Sequence, residues 1–107
     1  MKVNRFDIVI VNLNPTIGSE IKKTRPCVVV SPDELNRHLR TVILVPLTSQ
    51  SKDYPTRVEV TTQRGTGYAV VDQIRTIDRR RITKVAGSIL PPEQQALVRT
   101  IRETLVD

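Results

Sequence analysis

Residues 41–47 read Thr-Val-Ile-Leu-Val-Pro-Leu, a short run rich in β-branched side chains of the kind that forms a strand. Working outward, Asp7–Leu13 (DIVIVNL) has the same character and Cys27–Val30 (CVVV) resumes it. On the far side, Arg57–Thr62 (RVEVTT) alternates as a half-exposed strand does, Gly67–Ile77 (GYAVVDQIRTI) contains a further strand, and Lys84–Ile89 (KVAGSI) reads as the last. Ser31-Pro32-Asp33-Glu34 predicts a short helix over 32–38. Ser31 would be its N-cap, Pro32 its first residue, and Glu34 the partner three residues on in a capping box. Pro91-Pro92-Glu93 opens a second helix near 92–106, in which Leu97, Ile101 and Leu105 make an apolar stripe beside Val98 while Arg99, Arg102 and Glu103 stay outside. Many short strands without long crossover helices predict a mostly β (α+β) chain, a small antiparallel barrel or sheet of about five to seven strands closed by a C-terminal helix.

The length of 107 residues fits one domain, residues 1–107, because so short a chain has too little core to divide. With 38% apolar and 26% charged residues it is too apolar for a disordered chain. A single cysteine excludes an intramolecular disulfide framework, and one histidine with one cysteine cannot build a Cys/His zinc cluster. No metal or cofactor is expected. The N-terminus reaches Asn4, Arg5 and Asp7 before any apolar run, and no segment approaches the roughly 20 apolar residues of a membrane span. A cytoplasmic protein away from the membrane is the expectation. The formal net charge of +6 suits an anionic partner such as nucleic acid or an acidic protein, or else only a solvated positive surface. Three aromatic residues, Phe6, Tyr54 and Tyr68, argue against a base-stacking platform.

Four segments carry residues able to do chemistry. Asn14–Pro26 (NPTIGSEIKKTRP) reads as a long exposed loop holding Glu20, Lys22, Lys23 and Arg25. Arg25 stands beside Pro26 at the stiff beginning of a strand, where its guanidinium can be held for a ligand. A solvated loop with a weak surface ion pair is the plainer reading. At 46–49, Pro-Leu-Thr-Ser puts two hydroxyls at a strand end, suited to a phosphate or to a turn. In Asp72-Gln73-Ile74-Arg75-Thr76-Ile77 the alternation of a strand turns Asp72 and Gln73 to opposite sides, and an inward Asp72 needs a partner such as Arg75 or Arg25. Asp78 can cap a turn through Arg79, Arg80 and Arg81. His38 reads as a surface residue and Cys27 as core. No GxxxxGK[ST], HExxH or GxSxG motif is present, so nucleotide hydrolysis, zinc proteolysis and serine hydrolysis lack support.

Taken in order, three of these segments resemble the MazF/PemK/Kid family of toxin endoribonucleases. Asn14-Pro15-Thr16, Gly18-Ser19-Glu20 and Arg25-Pro26 are similar to the family's (D/N)PTxGxE…RP signature. Val45-Pro46-Leu47-Thr48-Ser49 is similar to its VPxTS strand end, and Asp72 to Asp78 to its DQxRTID segment. The resemblance implies a small SH3-like, CcdB/Kid-like antiparallel β-barrel, a homodimer, and metal-independent cleavage of single-stranded RNA. It also implies a cognate acidic antitoxin whose tail covers the RNA groove. By that resemblance Arg25 is the central catalytic residue and Thr48 bonds the scissile phosphate. Glu20, then Asp72, are the candidate bases, and Thr16, Ser19, Lys22, Lys23, Ser49, Gln73, Arg75, Arg79, Arg80 and Arg81 are RNA contacts. Some members carry His in place of Ser19 and Arg in place of Val70, so a mechanism relying on those side chains cannot operate here. The competing class is a non-catalytic SH3-like binder, either an RNA-binding module or a CcdB-like gyrase poison. The absence of Trp and the ending Leu105-Val106-Asp107 count against the latter.

Overall fold

The computed structural model describes residues 1–13, 24–50 and 54–107. Its strands are β1 (Asp7–Asn12), β2 (Thr24–Val29), β3 (Thr41–Thr48), β4 (Arg57–Thr62), β5 (Gly65–Val70), β6 (Arg75–Asp78) and β7 (Ile82–Ser88), with helices α1 (Asp33–His38) and α2 (Pro91–Leu105). They form one seven-stranded sheet in the order β4-β5-β3-β2-β1-β7, with β6 pairing β3. All pairings are antiparallel, and the sheet curls into a half-barrel closed by α2, the mostly β architecture expected.

The continuous apolar run at 41–47 has a physical reason: β3 is covered on both faces. Val45 and Leu47 join Ile8, Val28, Val58, Val60, Ala69 and Leu97 of α2 in one core, while Val42 and Leu44 join Val9, Val11, Cys27, Val29, Ile77 and Ile82 in the other. Outer strand β4, covered on one face, keeps the alternation of Val58 and Val60 inward. The α2 stripe is buried at Leu97, half-buried at Ile101, and runs out into solvent at Leu105, 55% exposed.

Four expectations need correcting. The segment 67–77 is not one strand: β5 ends at Val70, a single helical turn spans Val71–Gln73, and β6 follows. The turn is needed because β5 pairs the end of β3 at Leu47 and Thr48, whereas β6 pairs its beginning, Thr41 to Leu44; the chain must step along that edge. Asp72 and Gln73 therefore do not alternate across a strand. Ser31 does not cap α1. Its hydroxyl instead bonds the Asn36 side chain and accepts the Ile43 N–H at 3.1 Å, and Glu34 turns outward to Arg37 at 3.3 Å. Finally, β2 begins at Thr24, so Arg25 and Pro26 belong to a strand rather than to the loop; residues 14–23 lie outside the described residues.

The second helix opens as its sequence implies. Glu93 accepts the Leu90 N–H at 2.9 Å through one carboxylate oxygen, and through the other the Thr61 N–H of β4 at 2.8 Å. One side chain thus caps α2 and ties it to the sheet. No helix is long and apolar enough to cross a membrane among the described residues.

Candidate nucleic-acid interface

Antiparallel register sets the first two residues of the site. In β2 and β3, Cys27 lies opposite Pro46 and Val28 opposite Val45. Arg25 stands two residues before Cys27 in β2 and Thr48 two residues after Pro46 in β3, so both lie at the same end of this strand pair and both line one groove. Across the other edge of β2, Arg25 lies opposite Val11 of β1. Arg25 lies in a strand and is half-buried, so its long side chain loses less freedom on meeting a ligand.

Around this pair runs a groove of about 270 Å³. Ile8, Ile10, Pro26, Leu47 and Ala86 give it an apolar floor, continuing the core beneath α2. Arg25, Thr48 and Ser49 line it together with the β4–β5 hairpin (Thr62, Gln63, Arg64, Thr66 and Gly67) and Lys84 of β7. Three cations and several hydroxyls line it, with no carboxylate among the described lining residues. An apolar floor with cationic, hydroxyl-bearing walls suits a polyanion whose flat parts lie on the floor. The Thr48 hydroxyl accepts the Gln50 N–H at 3.2 Å, which leaves its own proton available to a phosphate oxygen.

Other residues singled out in the sequence lie elsewhere. Asp72 is not among the groove's lining residues. Its partner is Arg57, whose guanidinium donates to the carboxylate and also stacks over Tyr54, 5.3 Å from the ring centroid; neither Arg75 nor Arg25 takes that role. Burial pushes the Asp72 carboxyl up, but hydrogen bonds from Thr56, Arg57 and its own backbone N–H, with the Arg57 charge, outweigh this and hold it below 3.8. A carboxylate so held is a weak base. Gln73 is half-buried in the single turn before β6, and Arg75 lies opposite Leu44.

Asp78 caps its turn as expected, accepting the Arg80 N–H at 2.8 Å. Arg80 also holds that carboxylate in a fork, with two contacts of 3.1 Å, and these bonds keep the Asp78 carboxyl low. Arg81 donates to the Asn12 carbonyl at 3.3 Å, and the Arg79 Nε is buried without an acceptor among the described residues. None of the three lines the groove. Cys27 is fully buried, and burial pushes its thiol up to about 12 against the opposing charges of Arg75 and Arg25. It stays protonated and serves as core. His38 is a surface residue near Glu34. Thr16, Ser19, Glu20, Lys22 and Lys23 lie outside the described residues, and no three His, Cys, Asp or Glu side chains gather to hold a metal among the described ones.

Sequence reasoning missed the hairpin wall and Lys84. A two-residue hairpin is read locally as a solvated turn, and only pairing between β3 and β5 brings it over the end of β3. For Lys84 the signal was its place in a strand, whose partner, Ile10, is set by long-range register.

A curled antiparallel half-barrel with a C-terminal helix, and a groove with three cations among its described lining residues, defines the class: a small, mostly β fold. Within that class the chain belongs to the PemK-like, MazF-like toxins of type II toxin–antitoxin systems, whose family pattern it matches over residues 4–105. It is 38% identical over 92 residues to the endoribonuclease toxin MazF of Escherichia coli K12, covering 85% of this chain and 83% of that one. In fold it is similar to MazF from Deinococcus radiodurans, with a TM-score of 0.87 at 23% identity over 98% of this chain and 97% of that chain. A mycobacterial endoribonuclease in complex with its cognate antitoxin gives 0.83 at 23% identity over 96% and 94% of the two chains.

Proposed function

We propose that this chain, as one domain over residues 1–107, is the toxin of a type II toxin–antitoxin pair. In this reading it is a sequence-specific endoribonuclease that cuts single-stranded RNA without a metal, through the substrate's own 2′-hydroxyl. The observation that carries the reading is that Arg25 and Thr48 line one cationic groove, in a chain of a family whose curated relatives are named endoribonucleases.

The reaction requires three things at one phosphate. A base takes the 2′-hydroxyl proton, the 2′-oxygen forms a bond to phosphorus, and the 5′-oxygen leaves with a proton, giving a 2′,3′-cyclic phosphate and a 5′-hydroxyl. Charge on the non-bridging oxygens grows on the way, and a fixed guanidinium stabilises it because the planar fork fits two oxygens and keeps its charge at any working pH. Arg25 is that clamp in this reading, and Thr48 donates to the same phosphate. With the Asp72 carboxylate engaged by Arg57, Glu20 is the base. Ser49, Gln73 and Arg75, with the loop residues Thr16, Ser19, Lys22 and Lys23, are the further proposed RNA contacts.

A homodimer in the cytoplasm belongs to the same proposal, as does an acidic antitoxin tail that occupies the groove. The cations Arg25, Arg64 and Lys84 among its lining residues support the latter. The test is digestion of a defined single-stranded RNA in EDTA. Fragments ending in 2′,3′-cyclic phosphate with 5′-hydroxyl partners are expected; intact RNA over many sequences, with tight binding kept, would overturn the nuclease in favour of a binder.

A further inference from the structure

The β4–β5 hairpin is built to hold two side chains still. Its loop is Gln63-Arg64, between Thr62 and Gly65, which pair across the strands. The Thr62 hydroxyl accepts the Arg64 N–H at 3.1 Å and donates to the Gly65 carbonyl at 2.8 Å, stapling the turn from inside. Gly65 has φ 104, a conformation other residues adopt only under strain, so the direction in which the tip leaves β5 is fixed by backbone. At the root, Glu93 of α2 holds the Thr61 N–H. A short hairpin secured at both tip and root is a stiffer mount than a long loop.

Its position gives the stiffness a use. Thr62, Gln63, Arg64, Thr66 and Gly67 line the same groove as Arg25, Thr48 and Ser49, because β5 pairs the last residues of β3. At about 270 Å³, the space between the walls is near the small end of ligand pockets, roughly 300 Å³. A strand of RNA clamped at one phosphate by Arg25 therefore meets the hairpin within about one nucleotide.

Resting on the endoribonuclease reading, we infer that the hairpin tip is a nucleotide-reading wall. Arg64 takes a phosphate flanking the scissile one, and Gln63 hydrogen-bonds the edge of an adjacent base. The residue types suit the tasks: a guanidinium forks onto a phosphate, while an amide presents a donor and an acceptor together, as a base edge does.

The test compares wild type, Arg64→Ala, Arg64→Lys and Gln63→Ala, with thermal melting to verify that each variant folds. Arg64→Ala is expected to raise KM by about three- to tenfold while kcat changes less than about twofold, as loss of uniform binding does. On an uncleavable 2′-O-methyl oligonucleotide it should lower the slope of log affinity against log salt by about 0.7, the loss of one phosphate contact on a single strand. Arg64→Lys should restore that slope. Gln63→Ala should relax base preference by about tenfold at one position beside the cut, read by sequencing fragment 5′ ends. An active wild type whose Arg64→Ala and Gln63→Ala variants keep its KM, salt slope and cut sequence would sink the inference alone. Failure of the wild type to cut RNA would sink the endoribonuclease reading; the salt slope on the uncleavable strand would still decide the role of Arg64.

Discussion

Two parts of this molecule use basic side chains in opposite ways. Around the groove, Arg25, Arg64 and Lys84 stand with hydroxyls and apolar floor residues and with no carboxylate among the described lining residues. At the corners beyond it, Arg57 is matched to Asp72, Arg80 to Asp78, and Arg81 to the Asn12 carbonyl. Arginine at the corners is structural: it satisfies carboxylates and carbonyls where the chain turns between strands. In the groove the cations converge on one space that can take part of a ligand. Net charge alone does not distinguish these settings, because an arginine held at a corner and one lining a groove add the same amount to +6, while cations gathered around one groove concentrate positive potential there.

The contrast is open to direct attack. Arg25→Ala should have the largest effect, a loss of cleavage of about a hundredfold or more with the fold intact, since it removes charge stabilisation at the phosphate itself; near wild-type cleavage would remove Arg25 from the centre of the groove. Lys84→Ala should be milder, lowering the salt slope of RNA binding by about 0.7 and affinity by a few-fold. At the corners the readout shifts from RNA to stability. Arg57→Ala should cost about 1 kcal/mol in chemical denaturation, since its partner is 46% exposed, and should leave cleavage within about twofold. A loss of cleavage as large as that of Arg25→Ala would show that the two regions are not distinct.

The same pair predicts a pH dependence. The Asp72 carboxyl lies below 3.8 in the folded chain, so the folded state binds fewer protons there than the unfolded one. The stabilisation is present above about pH 4 and fades as pH falls through the lowered folded value. Wild type should lose its stability advantage over Asp72→Asn across that window, and an advantage unchanged down to pH 2 would contradict the assignment. The smallest effect is expected of Arg80→Ala. Its side chain is 89% exposed and engaged with Asp78, so both stability and the RNA salt slope should stay near wild type; a drop in slope equal to that of Lys84→Ala would make this corner part of the RNA surface.

What could be read from sequence was what local chemistry determines. The run at 41–47, the alternation of Arg57–Thr62, the helix opening at Pro91 and the Asp78 cap each depend on neighbours within a few positions, and each has its place in the fold. That Arg25 and Thr48 belong to one site follows from recognising motifs rather than from periodicity, since their shared groove depends on how two strands separated by α1 pair. Partners distant in the chain were misjudged. For Asp72 the sequence suggests Arg75 or Arg25, whereas its partner is Arg57, fifteen positions away on β4. Ser31 was assigned to the helix it precedes, although its hydroxyl is taken by Asn36 and by Ile43 of β3. The groove's second wall left no signal, because a short turn has the same composition whether it faces bulk water or a ligand.

The carboxylate of Glu93, shared between the start of α2 and the Thr61 N–H, sets where evolutionary change can be absorbed. Register at the hairpin root is held by backbone bonds and one acid, not by the two residues at its tip. Gln63 and Arg64 can therefore be exchanged without loss of fold. On the inference that the tip reads nucleotides, a lineage of such chains would drift in sequence preference by changing those two codons while the Arg25–Thr48 end of the groove stays as it is.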